Sequence, residues 1–217
     1  MAETKHNPTG RRDRLAAHGA PSRARDGLCA LFALDTRLGT ILRATREPLL
    51  GQMRLTWWHD ALRALDYSPA PAEPILAALA AEVLPNGVSG HQLAGQIDGW
   101  EALLDDLDED AMTRFAAARG GNLFKAAAAL LRAGDANIAL AGEGWALADL
   151  AANLSDPAAA ERARLLAADR FRGVFSPRWS RAGRPLGAMA LMAEADMTGR
   201  SDASRLVRLL RHRMTGG

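Results

Sequence analysis

The chain is short of cysteine, of lysine and of long apolar runs. Its one cysteine, Cys29, cannot form a disulfide within the chain and excludes a metal site built from several cysteines. No run of about 18 apolar residues occurs, so the sequence predicts no membrane-spanning helix. The segment from Met1 to Arg14 is polar and lacks an apolar core. We therefore expect no secretory signal and a cytoplasmic protein.

The rest of the composition is that of an ordinary globular domain. Apolar residues make up 48% of the 217 residues and charged residues 24%, and this length suffices for one well-buried core. A net charge of +2 is too small to indicate binding to nucleic acid. Nearly all of the positive charge is arginine, since Lys5 and Lys125 are the only lysines, and we attribute this to codon bias.

Apolar residues recur at helical spacing along nearly the whole chain, and no segment alternates as a strand does. We expect residues 1–12 to be a disordered lead-in and residues 13–215 to form one all-α domain. Its predicted architecture is a single bundle of about eight helices. Helices are predicted over residues 13–18, 22–43, 49–66, 73–84, from 89 through 107, 112–132, 137–154, 157–172, 186–195 and 201–214.

The helix predicted over residues 49–66 has the most unusual face of the chain. Its apolar arc includes Met53, Trp57 and Trp58, and Arg54 lies in the middle of that arc. A buried guanidinium needs a partner, because an unpaired buried charge is very costly. The face is therefore either a packed core with Arg54 tied to one carboxylate, or the lining of an interior pocket or a partner groove.

Asp35 lies in the apolar arc of the preceding helix. At 1.5 Å per residue, Asp35 and Arg54 lie at roughly equal distances from the turn between the two helices. If the helices are antiparallel, the two charges come level, and we predict an ion pair between them, directly or through one water. Glu47 and Glu101 are the competing partners, and a solvated Asp35 at the edge of the arc is the alternative.

Three further stretches allow two interpretations each. The pair Gly120 and Gly121 interrupts a predicted helix, which indicates either close packing or a backbone that approaches a ligand. The acidic run from Asp105 to Asp110 spreads around a helix end, which favours a solvated connection over a metal site. The basic amphipathic C-terminal helix favours a closing helix with a solvated arginine face, with peripheral membrane contact as the alternative.

No catalytic motif stands out from the residues themselves. The sequence has no Gly-rich phosphate loop, no nucleophile elbow and no metal-type spacing of its five histidines. His59 lies on the polar side of its helix, where we expect it at the surface. The residues alone therefore predict no active site.

One block, EPLLGQMRLTWWHDAL from Glu47 to Leu62, resembles the squalene/phytoene synthase family, and within it the branch of mitochondrial complex I assembly factor 6-like proteins. The resemblance covers about residues 13–215. It implies an isoprenoid-synthase fold with a central cavity, in which two Asp-rich motifs hold Mg²⁺ against prenyl diphosphates. Three weaker matches agree with the family in order and spacing, one before this block at Leu31–Asp35 and two after it at Phe115–Asn122 and Trp145–Leu150.

Both metal motifs are degenerate at the positions to which the resemblance assigns them. The first falls on Arg37, Leu38 and Ile41, which cannot hold Mg²⁺, because that ion takes carboxylate and water oxygens. The second falls on Asp156 and Ala160, so Asp156 is the only weak metal candidate. The resemblance thus implies a family member without transferase activity and without a cofactor. The alternative is a Mg²⁺-dependent transferase that condenses prenyl diphosphates in isoprenoid biosynthesis.

The role implied for such a member is binding or assembly, in respiratory complex I biogenesis. Its expected partner is a protein, with no nucleic acid and at most peripheral contact with the inner membrane. A carrier or sensor of an isoprenoid lipid is a further alternative. No residue is assigned a catalytic role. The candidates for lining a cavity or binding a ligand are Asp35, Met53, Arg54, Trp57, Trp58, Gly121, Asn122 and Phe124.

Overall fold

The computed structural model describes residues 20–44, 47–104, 106–199 and 201–217. All regular elements within these ranges are helical, which confirms the predicted all-α class. The lead-in predicted over 1–12 and the helix predicted over 13–18 lie outside them. No helix within the described ranges is long and apolar enough to cross a membrane.

The helices agree closely with those predicted from apolar spacing. Two other helical segments occur between the α-helices given below. A 3₁₀ helix, Leu84–Asn86, follows the third α-helix, and a π-helical segment, Ala116–Gly121, joins the sixth α-helix to the seventh without a break. The α-helices are α1 (Ser22–Ala44), α2 (Pro48–Ala64), α3 (Pro74–Glu82), α4 (Gly90–Ala94), α5 (Ile97–Glu101), α6 (Glu109–Phe115), α7 (Asn122–Leu131), α8 (Ile138–Asn153), α9 (Pro157–Phe171), α10 (Arg184–Met197) and α11 (Asp202–Thr215).

Local sequence signals set where these helices begin. Proline occupies the first helical position of α2, α3 and α9, where its missing N–H costs nothing. Ser89 and Gln92 form a reciprocal capping box at α4. The side chains that accept hydrogen bonds from free N–H groups at other helix starts are Glu73, Asp108, Asp156 and Ser201.

The helix predicted from Ser89 through Leu107 is instead two short helices, α4 and α5. At their junction the Gln96 N–H bonds the carbonyl of Leu93, three residues back, at 3.1 Å. Glycine at position 95 is a poor helix residue, and its carbonyl accepts a bond from the Asn122 side chain at 3.4 Å. A tertiary contact therefore ends the helix at a point that apolar spacing alone does not mark.

Helix α8 lies at the centre of the bundle, in contact with the π segment, α9 and α10. Where the π segment crosses α8, a Cβ atom on Gly120 or on Gly142 would overlap the carbonyl of the other glycine. This contact confirms the close-packing interpretation of Gly120. The resulting short separation sets the positions of the side chains next to it.

Helix α2 packs inward through a narrower stripe than its sequence predicted. Met53 is 61% exposed and Trp57 is 51% exposed, and Arg54 is exposed as well. The packed-core and interior-pocket interpretations were therefore wrong for these three residues, whereas the partner-groove interpretation stays a prediction. Apolar residues cover more than half of the helix, and periodicity does not tell which part contacts the body. The buried stripe consists of Leu55, Trp58, Leu62 and Leu65.

The C-terminal helix α11 turns its polar face toward the bundle. Arg205 and Arg208 bond Asp196 and Glu194 of α10, and His212 is buried. The expected closing helix with a solvated arginine face was therefore wrong in its orientation.

Candidate functional site

Arg119 lies at the centre of the bundle between two aspartates. Its Nε donates to Oδ1 of Asp35 at 2.7 Å and its Nη2 to Oδ2 at 2.8 Å, a bidentate pair. Its Nη1 donates to Oδ2 of Asp149 at 2.7 Å. All three residues are less than 9% exposed, so their charges are held away from water. We refer to Asp35, Arg119 and Asp149 as the buried triad.

Three separate elements supply the buried triad. Asp35 comes from α1, Arg119 from the π segment and Asp149 from α8. The glycine contact between the π segment and α8 lies one residue from Arg119, so the backbones approach closely just where Arg119 reaches across. Single π-helical turns within α-helices are frequent at functional sites, because they displace side chains from the regular helical register.

Aromatic rings enclose the guanidinium. The Cζ atom of Arg119 lies 4.5 Å from the ring centroid of Trp100, 4.7 Å from that of Trp145 and 5.3 Å from that of Phe115. These distances are within the range of cation–π attraction. The rings also keep water off the sides that the carboxylates leave open, which strengthens the ion pairs.

The surroundings of Arg119 keep it charged. Burial acts to lower the pKa of Arg119, because it disfavours the charged form. The negative charges of Asp35 and Asp149 and their hydrogen bonds outweigh burial, and the pKa of Arg119 lies above its ordinary value. The buried triad therefore contains a permanent internal cation.

The predicted ion pair between Asp35 and Arg54 was wrong, because Asp35 binds Arg119 through both of its oxygens. Arg54 lies on the exposed side of α2 instead. The prediction compared only the two helices next to each other in sequence, whereas the true partner follows Asp35 by 84 residues.

A sequence signal for the other two residues of the buried triad did exist. Arg119 follows Phe115 by four residues and precedes Leu123 by four, so it lies on an apolar helix face. Asp149 follows Trp145 by four residues in the same way. A charged residue within an apolar helix face indicates a buried charge, and this rule identifies Arg119 and Asp149 as it identified Asp35. It does not show which of these charges form ion pairs.

The remaining candidates do not all come together in one site. Phe124 is fully buried and packs on Trp145, with ring centroids 5.7 Å apart, so it adjoins the enclosure of Arg119. Trp58 is buried on the inner side of α2, and Gly121 is buried next to Glu143 of α8. Asn122 is half-buried and bonds the Gly95 carbonyl.

Arg54, Trp57 and Trp58 belong to a surface groove between α1 and α2. The groove has a volume of about 410 Å³. Apolar side chains of α2 continue from it across the surface, including Leu49 at 68% and Leu50 at 42% exposure. We call this surface the α2 groove. Its lining residues are Arg37, Thr40, Ile41, Ala44, Arg54, Trp57, Trp58 and Glu73.

The positions that the resemblance assigns to the Mg²⁺ motifs do not fit that ion. Leu38 and Ala160 are buried in the core. Asp156 caps α9, and its two oxygens accept the N–H groups of Ala158 and Ala159, each at 3.1 Å. Across all described ranges, no three His, Cys, Asp or Glu side chains are grouped so that they could hold a metal ion.

The acidic run after α5 is a solvated connection where the structure describes it. Asp106, Glu109 and Asp110 are exposed, and Asp108 is the N-cap of α6, bonding the Ala111 N–H at 2.7 Å. Asp105 lies outside the described residues.

Gln96, at the junction of α4 and α5, is fully buried. Neither its amide oxygen nor its amide nitrogen has a hydrogen-bond partner within the described part of the chain. The indole N–H groups of Trp100 and Trp145 are also buried and also have no hydrogen-bond partner within the described residues. Buried polar groups of this kind cost free energy, so these positions are sensitive tests of the packing around Arg119.

Comparison with known proteins gives one match. The model of the family described as squalene/phytoene synthase matches residues 9–154, which is more than half of the chain. The matched part includes α1 to α8 and therefore the whole buried triad. No curated protein and no solved structure matches the chain.

Proposed function

Because this chain belongs to the squalene/phytoene synthase family, we propose that it is a member that binds a partner and does not condense prenyl diphosphates. The observation that carries the proposal is the guanidinium of Arg119 between Asp35 and Asp149. It supplies a positive charge to the two carboxylates from the chain itself.

Ionising a prenyl diphosphate requires a cation that neutralises the leaving group, and the family resemblance assigns that task to Mg²⁺. Asp35 and Asp149 already share Arg119 as their counterion, at hydrogen-bond lengths of 2.7–2.8 Å. Displacing the guanidinium from them would leave a buried charge without a counterion, at a cost of about 3–5 kcal/mol. The positions assigned to the Mg²⁺ motifs do not fit that ion, and Asp35 and Asp149 do not offer a replacement site, because Arg119 already occupies them.

The α2 groove supports a binding role. It combines apolar walls, including the exposed Trp57, with the guanidinium groups of Arg37 and Arg54 and the carboxylate of Glu73, which pairs with Arg37 at 3.8 Å. The exposed Met53 precedes Trp57 by one helical turn on the same side of α2. Exposed apolar patches rimmed by polar groups mark interaction sites. Because the block from Glu47 to Leu62 resembles the complex I assembly branch, we infer that the partner is a protein of respiratory complex I biogenesis. The protein acts in the cytoplasm, in peripheral contact with the inner membrane.

A thermal shift assay with farnesyl diphosphate, with and without Mg²⁺, followed by product extraction, tests the absence of prenyl transfer. We expect no Mg²⁺-dependent rise in Tm and no condensed product. A Mg²⁺-dependent rise with a condensed product would overturn the proposal. A rise with the lipid alone, independent of Mg²⁺, would instead support an isoprenoid carrier or sensor.

The partner role is tested in cells that lack the gene. They are complemented with the wild type, with Met53→Ser/Trp57→Ser, or with Leu165→Ser, an exposed leucine of α9 that serves as the control. We expect the wild type and the control to restore respiratory complex I on native gels, and the double variant to fail. Normal complex I in the deletion strain would refute this role, and equal restoration by all three would refute the α2 groove as its surface.

A further inference from the structure

Helix α11 exposes its apolar face. Leu206, Val207, Leu210 and Met214 are 58%, 65%, 51% and 77% exposed. Their spacing of one, four and eight residues from Leu206 places them in one stripe along the helix. We call these four residues the α11 stripe. Single exposed apolar residues are common, but a contiguous stripe marks an interaction surface.

Polar contacts on the opposite face fix this orientation. Arg205 bonds Asp196 of α10 and Arg208 bonds Glu194, each at 2.6 Å. On the same face His212 is 1% exposed and packs edge-on against Trp179, with ring centroids 6.0 Å apart. A surface helix ordinarily buries its apolar face and exposes its polar one. In α11 this arrangement is reversed.

Arginines border the α11 stripe on both sides. At about 100° per residue, Arg213 falls just before Leu206 and Arg211 just after Val207 on the helix circumference. Both arginines are exposed, and Asp202, in the first turn, is the only acidic residue of the helix. The outward face of α11 is therefore apolar along its middle and positive at both edges.

A neighbouring loop adds positive charge at the C-terminal end of α11. The Trp179 N–H bonds the Gly216 carbonyl at 2.8 Å, which holds the loop against the helix end. Arg178 and Arg181 of this loop are exposed.

We propose that α11 docks on an anionic lipid bilayer, with the α11 stripe in the interfacial region and Arg211 and Arg213 at the level of the headgroups. Apolar residues flanked by arginine match that environment, because the aliphatic stems lie along the apolar layer while the guanidinium groups reach phosphate. A second copy of the chain fits less well, since a stable dimer interface takes about 20–30 residues a side. The inference specifies which surface makes the peripheral membrane contact of the proposed function, and it rests on that part of the proposed function only.

Vesicle co-sedimentation of the full chain tests this proposal. The vesicles contain either phosphatidylcholine alone or phosphatidylcholine with phosphatidylglycerol. We expect binding to the anionic vesicles only, weakened by added salt. Leu206→Ser/Leu210→Ser should reduce this binding at least about tenfold, because two apolar contacts are lost. The control Leu165→Ser, equally exposed on α9, should bind as the wild type does.

A second set of variants tests the contribution of the arginine charges. Arg211→Gln/Arg213→Gln should weaken binding to anionic vesicles about 30-fold, by the usual contribution of basic residues near such a surface. The control Arg114→Gln/Arg162→Gln removes the same charge from exposed positions on α6 and α9 and should have little effect. Equal loss in both pairs would show that net charge alone drives the association, which would overturn the proposal.

Two further results would also overturn it. One is no binding of the wild type to anionic vesicles at low salt. The other is a dimer in the absence of lipid that Leu206→Ser/Leu210→Ser disperses, since the stripe would then belong to a second copy. The vesicle assay reports on lipid contact only, whereas product extraction reports on prenyl transfer. Failure of the membrane-docking proposal is therefore distinguishable from failure of the proposal that the protein lacks prenyl transfer.

Discussion

The backbones of Gly120 and Gly142 are in contact where the π segment crosses α8, and each occupies the space that a Cβ atom on the other would need. This contact is adjacent to Arg119 and brings the π segment close to the helix that carries Asp149. The geometry of the buried triad therefore depends on two positions that contribute no side chain.

Replacing Gly142 by alanine is expected to lower the free energy of unfolding. The added methyl group meets backbone atoms that cannot move aside as a side chain would, and overpacking of this kind costs about 1–3 kcal/mol or more. The measurement is urea-induced unfolding of the purified variant. Gly134→Ala is the control, since a Cβ atom there has no neighbour within 4 Å. Equal stability of the two variants would mean that the backbones are not in contact.

Replacing Arg119 by methionine is expected to cost about 3–5 kcal/mol, because it leaves Asp35 and Asp149 as uncompensated buried charges. The triple variant Asp35→Leu/Arg119→Met/Asp149→Leu is expected to recover most of that loss, since an apolar core has no charge to compensate. Urea unfolding of the single and triple variants measures both steps.

The matched control for this series is Arg164→Met. Arg164 forms an exposed ion pair with Glu161 at 3.1 Å, and such pairs contribute no more than about 1 kcal/mol. A triple variant less stable than Arg119→Met would contradict the expectation. It would mean that the buried triad stabilises the fold beyond what apolar packing can replace.

Sequence reasoning located the helices well because helix signals are local. A helix was predicted over residues 137–154, and α8 runs from Ile138 to Asn153. The glycine pair at 120 and 121 was identified as an interruption, although spacing does not reveal that the interruption is a π segment. Apolar period, proline and capping residues all act within a few positions of a helix end.

The site was not predictable by the same means. Which carboxylate meets which guanidinium depends on how distant helices pack, so Asp35 was paired with Arg54 instead of Arg119. Periodicity also shows that a helix has an apolar face but not that this face points inward. The face of α2 that carries Met53 was therefore left open between a core, a pocket and a partner groove. The C-terminal helix was left open between a closing helix and a membrane contact. Met53 and Leu210 are both exposed.

Replacing Gln96 by methionine is expected to raise the free energy of unfolding by about 1–3 kcal/mol. Its buried amide has no hydrogen-bond partner within the described residues, and an apolar side chain of similar length removes that cost. Thermal and urea unfolding measure the gain. A loss of stability instead would show that the amide makes a hydrogen bond that is essential to the fold, such as one to a buried water.

Gln92 is the matched control for this substitution. It accepts the Ser89 N–H at 2.9 Å and completes the capping box of α4. Gln92→Met should therefore lower stability, by about 0.5–1.5 kcal/mol for one lost hydrogen bond. If the free energy of unfolding rises for Gln96→Met and falls for Gln92→Met, the gain comes from removing the unpaired amide and not from a general effect of methionine.

His212 is expected to make stability dependent on pH. Burial lowers the pKa of His212 and the charge of Arg184 adds to this, while the Arg184 carbonyl and Asp135 oppose it without reversing it. As pH falls below about 6.5, the unfolded chain takes up a proton that the folded chain does not. The unfolded state therefore binds more protons in that range. The contribution of His212 is complete above about pH 6.5 and is lost as pH falls toward the lowered pKa of the folded state.

Unfolding in urea between about pH 7.5 and 5.5 measures this dependence. Wild type should lose stability over that interval, and His212→Gln, which cannot take up a proton, should lose less. His91→Gln removes an exposed histidine and should follow the wild type. Because His212 holds α11 against Trp179, the loss should begin with α11, and faster amide exchange in that helix at the lower pH would identify it. Parallel curves for all three proteins would show that a group other than His212 governs stability in this range.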